Sequence, residues 1–179
     1  TAAYDWEAVT KDAAKNGRAG LFHKVQKDLV NPRTGTPNAG FLSSPGGTKT
    51  LTKEITKSKL VVYEIDADDD EEKLATWCSW ETANLPAPTA VMDSGNKSYH
   101  VWYQLDEYIT AEKMTDLRKR INQTVYNYCG FTCDGALTSC HQPTRLAGGI
   151  HPKTGLRSKI VFQTGKVFTY KELYDLTDE

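Results

Sequence analysis

The stretch Lys59-Leu-Val-Val-Tyr-Glu-Ile-Asp66 is the clearest strand pattern in the chain, because an apolar, β-branched run ends there in two alternating acids. Side chains at i and i+2 of a strand project from the same face about 7 Å apart, so Glu64 and Asp66 lie side by side. Two such carboxylates repel each other unless a cation lies between them. Oxygen ligands of this kind suit Mg²⁺ or Mn²⁺. The alternative is an exposed strand end whose acids are solvated.

Helix and strand patterns alternate on both sides of this stretch. The acidic run 68–72 is interpreted as the first turn of a helix, where negative charge is favourable. The predicted elements are a helix over 5–16, strands over 21–25 and 59–66, a helix over 68–84, strands over 89–93 and 99–105, a helix over 110–129, a strand over 159–163 and a helix beginning near Thr169. Because a strict βαβ rhythm is missing, the pattern favours an α+β fold with a mixed or antiparallel sheet.

The composition is that of a globular protein. The 179 residues, 39% of them hydrophobic, suffice for one domain. The longest apolar runs are a few residues, far short of the about 20 needed to cross a bilayer, so no membrane association is expected. With 22 Lys+Arg against 23 Asp+Glu, the net charge of -1 excludes histone-like binding by bulk positive charge.

The cysteines and the chain ends bear on location. Four cysteines are too few for a disulfide-based scaffold, and the first residues lack the basic and apolar segments of a secretory leader. We therefore expect a reduced, intracellular protein, located in the cytoplasm. The chain begins without Met and ends in Asp178-Glu179 directly after a helical pattern, so we expect a trimmed piece of a longer protein.

The turn Ser94-Gly-Asn-Lys-Ser98, which joins two predicted strands as a hairpin, has the composition of an anion site. Small residues expose backbone N–H groups, the serines add hydroxyl donors and Lys97 adds a positive charge, which together suit a phosphate. His100 follows on the next strand, where an imidazole can donate to a phosphate oxygen. The alternative for His100 is a half-buried strand histidine, and Trp102 and Tyr103 are expected to pack within the sheet.

A third group of polar residues follows the long helix. Asp134-Gly135 precedes Arg145-Leu-Ala-Gly-Gly-Ile-His-Pro-Lys153. The acid can complete a metal site, and the glycine-flanked Arg and Lys can bind phosphates, although Asp-Gly is also a common turn dipeptide. Basic residues on the helix, such as Lys113, Arg118 and Arg120, could contact a nucleic-acid backbone, but such residues are usually solvated.

The three groups taken in order resemble the archaeo-eukaryotic primase superfamily. The order is acid-x-acid, then Ser-Gly-x-Lys-x-x-His-hydrophobic-Trp, then an Asp before Arg-x-x-Gly. The resemblance is strongest to the primase-polymerase domains of plasmids, phages and other mobile elements, and the 94–102 stretch is also similar to polymerases linked to bacterial end-joining ligases. It covers 59–153, about half of the chain. Two departures are Glu-x-Asp in place of the commoner Asp-x-Asp or Asp-x-Glu, and Ala147 where many relatives have Pro.

The resemblance implies roles for individual residues. The implied catalytic residues and metal ligands are Glu64, Asp66 and Asp134. The implied nucleotide-binding residues are Ser94, Lys97 and His100, which would hold the triphosphate, and Arg145 and Lys153, which would contact triphosphate or template. The implied cofactors are two ions of Mg²⁺ or Mn²⁺.

The resemblance also implies a fold, an activity and partners. The fold is an RRM-like palm over about 59–168, with a small N-terminal α/β subdomain over about 1–58 and a C-terminal helix over 169–179, all in one catalytic domain. The activity is template-directed nucleotidyl transfer, as DNA primase and DNA polymerase. The partners are a single-stranded DNA template, a primer, dNTPs or NTPs, and a fused or associated helicase.

A cysteine cluster allows a structural Zn²⁺ as an alternative. Its ligands would be Cys129, Cys133, Cys140 and His141. The x3 spacing between the first two and the adjacent Cys-His pair fit one ion poorly, so buried free thiols are the favoured interpretation.

Other function classes explain less of the sequence. A two-metal nuclease could use the same acids but does not need a phosphate-binding turn. A rolling-circle nickase would need a His-x-His pair, and His100 is followed by Val101-Trp102. A non-catalytic single-strand binder would leave the acids unexplained, because carboxylates repel phosphate.

Overall fold

The computed structural model describes residues 57–139, 154–156 and 158–177. Its elements are β1 (Lys57–Glu64), α1 (Asp70–Thr82), β2 (Ala90–Asp93), β3 (Tyr99–Thr110), α2 (Ala111–Cys129), a 3₁₀ turn (Gly135–Thr138), β4 (Lys159–Gln163), β5 (Val167–Phe168) and α3 (Tyr170–Asp175). The predicted α+β class is confirmed. The predicted helix over 5–16 and strand over 21–25 lie outside the described residues, so the N-terminal subdomain and the domain bounds stay predictions.

The sheet has the strand order β1-β3-β2-β4, with antiparallel pairing along that path. β5 pairs in parallel with β3 just beyond Trp102, the partner of the first residue of β2, and this parallel pair makes the sheet mixed. β3 is longer than the predicted strand over 99–105, because Ile109 and Thr110 pair with Ser58 and Lys57 at the start of β1. That extension depends on a partner about 50 residues away in sequence, so no local pattern indicates it.

One face of the sheet packs against the helices. Tyr63, Val101 and Val91 lie opposite one another across three strands and are fully buried. They share a core with residues of α1 and α2, namely Trp80, Ala83, Met114, Leu117, Ile121 and Val125. The α2 members recur every three or four residues, which is the apolar stripe of an amphipathic helix. None of the helices in the described ranges has the length and apolarity to span a bilayer.

The opposite face of the sheet is also buried along most of β1 and β3. Val62 and Trp102 are cross-strand partners there, and both are about 1% exposed. The next pair on this face towards the end of β1 is Glu64 and His100. Along β1, the side chains on this face therefore become polar only where the apolar run ends.

The helix boundaries follow from local capping. The Asp69 side chain accepts a hydrogen bond from Glu72 N at 2.9 Å and caps α1, which confirms the interpretation of 68–72 as a helix start. The helix ends before the predicted residue 84, because Asn84 has a φ of 58°. Gly130, with a φ of 76°, ends α2 in the left-handed conformation that glycine adopts most easily.

Arg118 does not reach solvent, which corrects the sequence-based expectation of a template contact. The residue is about 1% exposed. Its guanidinium donates to the carbonyl oxygens of Leu60 in β1 and of Leu137 in the 3₁₀ turn, the latter at 2.9 Å. Arg118 therefore ties α2, β1 and the segment after Asp134 together.

We expect Arg118→Met to lower the free energy of unfolding by about 3 kcal/mol, because an apolar side chain of similar length leaves buried carbonyl oxygens without a donor. Urea unfolding of both proteins would measure the difference. Lys119→Met is the matched control, since Lys119 is the next residue on α2 and is exposed, and it should change stability by about 0.5 kcal/mol or less. Equal stability of the two variants would contradict the structural role of Arg118.

Candidate active site

A short extension of the sheet lies beyond the end of β1. Ile65 and Cys133 form an isolated antiparallel bridge. Two main-chain hydrogen bonds flank it, from Asp66 N to Thr132 O at 3.0 Å and from Asp134 N to the carbonyl of residue 64 at 2.9 Å. The side chains of Ile65 and Cys133 belong to the hydrophobic core. Because neighbouring residues alternate in direction, the side chains on either side of the bridge point away from that core.

The bridge brings the three sequence-predicted acids together. One carboxylate oxygen from each of Glu64, Asp66 and Asp134 lies within 4.8 Å of the other two. We call these three residues the acidic cluster. Glu64 and Asp134 face each other across the extension, and Asp66 follows two residues along on the same face. No other convergence of three His, Cys, Asp or Glu side chains occurs among residues 57–139, 154–156 and 158–177.

The acidic cluster suits a hard divalent cation. Oxygen ligands lie about 2 Å from Mg²⁺, hence up to about 4 Å apart across the ion. Oxygens within 4.8 Å of one another would therefore need only small side-chain rotations to share a cation. A donor set of carboxylates alone favours Mg²⁺ or Mn²⁺ over the softer metals that prefer sulfur and nitrogen.

Glu64 has partners from the hairpin. His100 lies directly across from it on β3, and the imidazole Nε2 pairs with the Glu64 carboxylate. Ser98 Oγ donates to the same carboxylate oxygen at 3.1 Å. His100 is about 6% exposed. Its Nε2 thus faces a carboxylate here, whereas the resemblance implies a phosphate, and that role of His100 stays a prediction.

The pKa values of the three acids in the acidic cluster shift in different directions. Burial alone would raise the pKa of Glu64. The charge and the hydrogen bond of His100, together with weaker hydrogen bonds, outweigh burial and lower this pKa to about 2. Burial raises the pKa of Asp66, and the charge of Glu64 raises it further. Burial likewise raises the pKa of Asp134, and Glu64 again adds to the rise. Glu64 is therefore readily ionised, and a cation would stabilise the charged forms of Asp66 and Asp134.

Residues 94–98, called here the phosphate loop after the predicted role, are held by internal hydrogen bonds. The Ser94 hydroxyl accepts from the amides of Asn96 at 3.2 Å and Ser98 at 3.4 Å. Ser94 N donates to Ser98 O at 3.1 Å, and Gly95 N donates to the Asp93 carboxylate at 2.9 Å. The sequence predicts exposed amides in this loop, but most of them are already bonded within it.

Lys97 is the cation that the phosphate loop presents to solvent, since its side chain is exposed. Ser94 is buried, and its hydroxyl oxygen stabilises the loop. Arg145 and Lys153 lie outside the described residues, so their implied phosphate contacts stay predictions.

Two of the four residues proposed as zinc ligands lie within the described part of the chain. Cys133 is buried in the core, where burial first and nearby acids second raise its pKa to about 12. Cys129 is half-buried and its thiol contacts Ser79 O at 3.6 Å. Neither forms a disulfide among the described residues, and both the zinc alternative and the free-thiol interpretation stay predictions. Cys140 and His141 lie outside the described residues.

Two further basic residues of α2 contact α3 and the short segment that follows it. Arg120 donates to Thr177 Oγ1 at 2.8 Å, and its guanidinium lies 4.1 Å from the ring centroid of Tyr174. Lys113 Nζ lies 5.6 Å from the ring centroid of Tyr170. Burial corrects the expected template contact of Arg118 alone, whereas Lys113 is exposed and Arg120 is half-buried, so the contacts expected of these two residues stay predictions.

Sequence reasoning missed the residues that support the phosphate loop. Asp93 accepts hydrogen bonds from Gly95 N and from Lys73 Nζ, both at 2.9 Å. Thr154 Oγ1 donates to Gly95 O at 2.7 Å. An Asp or Ser just before a glycine turn is a local signal that could have been used, whereas Lys73 and Thr154 come from distant parts of the chain.

Solved structures similar to this chain include two polymerase domains. The archaeo-eukaryotic primase domain of the cyanophage S-2L primase-polymerase matches with a TM-score of 0.63 and 25% identity, over 74% of this chain and 66% of that one. The polymerase domain of Ligase D from Mycobacterium tuberculosis, in complex with DNA, matches with a TM-score of 0.50 and 17% identity, over 75% of this chain and 55% of that one. None of the protein-family models compared with the chain matches it, and no curated protein matches it significantly.

These matches confirm the archaeo-eukaryotic primase fold, and with it the resemblance to that superfamily that the three motifs indicate. Both fold neighbours are polymerases by name, and the acidic cluster is consistent with use of a divalent metal. The chain spans about two thirds of the first neighbour and about half of the second.

We expect Mn²⁺ at about a hundred times its dissociation constant to raise the melting temperature of the protein by about 5–10 °C, because binding to the folded state alone stabilises it. Asp66→Asn should lose most of this shift, since it removes one of the three converging carboxylates. Asp175→Asn, at an exposed Asp of α3, should keep the shift. Thermal unfolding with and without Mn²⁺ would measure all three proteins, and equal shifts would show that the acidic cluster does not bind the ion.

Proposed function

We propose that this chain is the catalytic part of a DNA primase-polymerase, which adds nucleotides to a 3′-hydroxyl on a single-stranded DNA template and starts primers. The observation that supports this best is the contact between the acidic cluster and the phosphate loop. Ser98 Oγ of the loop lies 3.1 Å from the Glu64 carboxylate of the cluster. A site for metal-bound phosphates and a site for the rest of a triphosphate are thus adjacent.

The acidic cluster supplies the metal ligands in this proposal. Two divalent ions held there would lower the pKa of the attacking hydroxyl and neutralise charge on the departing pyrophosphate. The protein contributes a fixed frame, since Glu64 is fixed by His100 and Asp134 by a main-chain bond to the end of β1. Such preorganisation avoids the cost of reordering charged groups during the reaction.

The phosphate loop would hold the triphosphate tail of the incoming nucleotide. Exposed Lys97 attracts the anionic tail, and the internal bonds of Ser94 keep the loop in one shape before substrate arrives. Holding the tail would place the α-phosphorus in line with the 3′-hydroxyl. The two groups would then react from an oriented complex, which lowers the entropic cost of the step. Arg145 and Lys153 are proposed to add further charge to the same phosphates.

A groove along α2 is proposed to hold the nucleic-acid strand, and none of the three acids is among its lining residues. It has a volume of about 510 Å³ and lies between α2 and the segment around Asp134, with a lining of mostly polar residues that includes Lys119, Gln123, Tyr126, Thr132 and Thr138. Amides and hydroxyls bind sugar and phosphate without reading sequence, and an exposed Tyr can stack on a base. Base choice would come from pairing with the template.

The wider setting follows from the same proposal. The substrates are dNTPs or NTPs, and a fused or associated helicase would supply single-stranded template. A mobile genetic element, such as a phage or plasmid, is the proposed source, and the cytoplasm is the proposed location.

The test is extension of a labelled primer on a single-stranded template with dNTPs and Mg²⁺ or Mn²⁺, beside an unprimed reaction. We expect template-dependent products, and we expect Asp66→Ala to reduce their rate by at least about 100-fold through loss of charge stabilisation in the transition state. Asp175→Ala is the control for an exposed acid of the same type.

The products separate the proposed activity from the alternatives. Unprimed products would add primase to polymerase activity. Shortening of the labelled strand by the wild type would replace the proposal with a nuclease. Metal-independent binding of single-stranded DNA without either product would indicate a binding module.

A further inference from the structure

Lys73 on α1 reaches across to the phosphate loop. Its ammonium Nζ lies 2.9 Å from Asp93 Oδ1 and 2.9 Å from Asn96 O. The Lys73 and Asp93 side chains are only 15% and 20% exposed, so water screens this ion pair weakly. One cation therefore binds the residue just before the loop and the backbone at its middle.

Aromatic contacts fix the position of this cation. Lys73 Nζ lies 4.8 Å from the ring centroid of Tyr99, the first residue of β3. The same ring packs edge-on against Trp77 at a centroid distance of 5.2 Å. Lys73 and Trp77 are four residues apart, hence on one side of α1. That side of the helix therefore contacts the phosphate loop on both flanks.

The contact partners define what Lys73 does to the loop. Asp93 also accepts from Gly95 N, at a glycine with a φ of 82°. Lys73 neutralises the Asp93 charge while leaving that acceptor bond in place. Without Lys73, Asp93 would present an uncompensated negative charge to the segment where an anionic tail is proposed to bind.

Lys73 and Lys97 differ in how they are used. Lys97 is exposed, whereas Lys73 is directed at a carboxylate, a carbonyl and an aromatic ring of the protein itself. Lys97 is thus available to a ligand, and Lys73 is not.

We infer that Lys73 is a positioning residue for the nucleoside triphosphate: it holds the phosphate loop in its binding shape and neutralises Asp93, without touching substrate. This inference rests on the proposed function of the loop. Lys73 therefore contributes to the affinity for the nucleotide and not to the rate of the chemical step.

The test compares Lys73→Met with the wild type in steady-state primer extension and in equilibrium titration of a fluorescent mant-dNTP with Mn²⁺. We expect KM and the dissociation constant of the mant-dNTP to rise about 10-fold, because the nucleotide would have to order the loop and approach an uncompensated Asp93, while kcat falls less than about 3-fold. Lys73→Arg should restore part of the affinity, because it keeps the charge next to Asp93.

Lys171→Met is the matched control. Lys171 also pairs with an Asp, at 2.5 Å, but it lies on α3 and its side chain is 82% exposed. Its variant should match the wild type in KM, kcat and nucleotide binding. Circular dichroism and the Mn²⁺-induced shift in melting temperature should be preserved in the Lys73 variants, which separates loop positioning from general unfolding.

The outcomes distinguish failure of this inference from failure of the proposed function. A wild type that neither extends primers nor binds the mant-dNTP would overturn both. A wild type that does both, with Lys73→Met unchanged in KM and nucleotide affinity, would overturn the role of Lys73 alone. A fall in kcat at constant KM would also overturn it, since that result would assign Lys73 to the chemical step.

Discussion

The arrangement of the site depends on one constraint: a carboxylate at the end of an apolar strand must be compensated where water is scarce. Glu64 meets this need through His100 on the neighbouring strand and Ser98 in the loop before it. Both partners belong to the hairpin of β2 and β3. The position of the hairpin turn relative to the acids therefore follows from the register of two strands, which pairs Glu64 with His100.

The alternation of side chains lets one short segment serve two purposes. Ile65 and Cys133 point into the core, while their neighbours Asp66 and Asp134 point to the other face. A slip of one residue would bury the acids and expose the apolar pair. Core packing thus fixes the register on which the convergence of the acids depends.

Local sequence patterns predicted most of the described fold and the acids. The β-branched run of β1, the turn chemistry at 94–98 and the apolar spacing of α2 are all signals within a few residues, and the Glu64–Asp66 pairing needs only the period of a strand. The extension of β3, the burial of Arg118 and the reach of Lys73 to the loop were not predicted. Each depends on a contact with a residue at least 20 positions away in the sequence. Local patterns do not indicate such contacts, because they form only when the chain packs.

The outer edge of β1 is protected by the same contacts that assemble the site. β1 ends the strand order among the described strands, and a bare strand edge can pair with a second molecule. Arg118 occupies the Leu60 carbonyl, and residues 132–134 continue the ladder past the end of β1. Lys57 and Lys59 lie over the ring of Tyr108 near the start of the strand, and lysines discourage edge pairing. Resistance to strand-mediated aggregation is thus linked to the geometry of the acids.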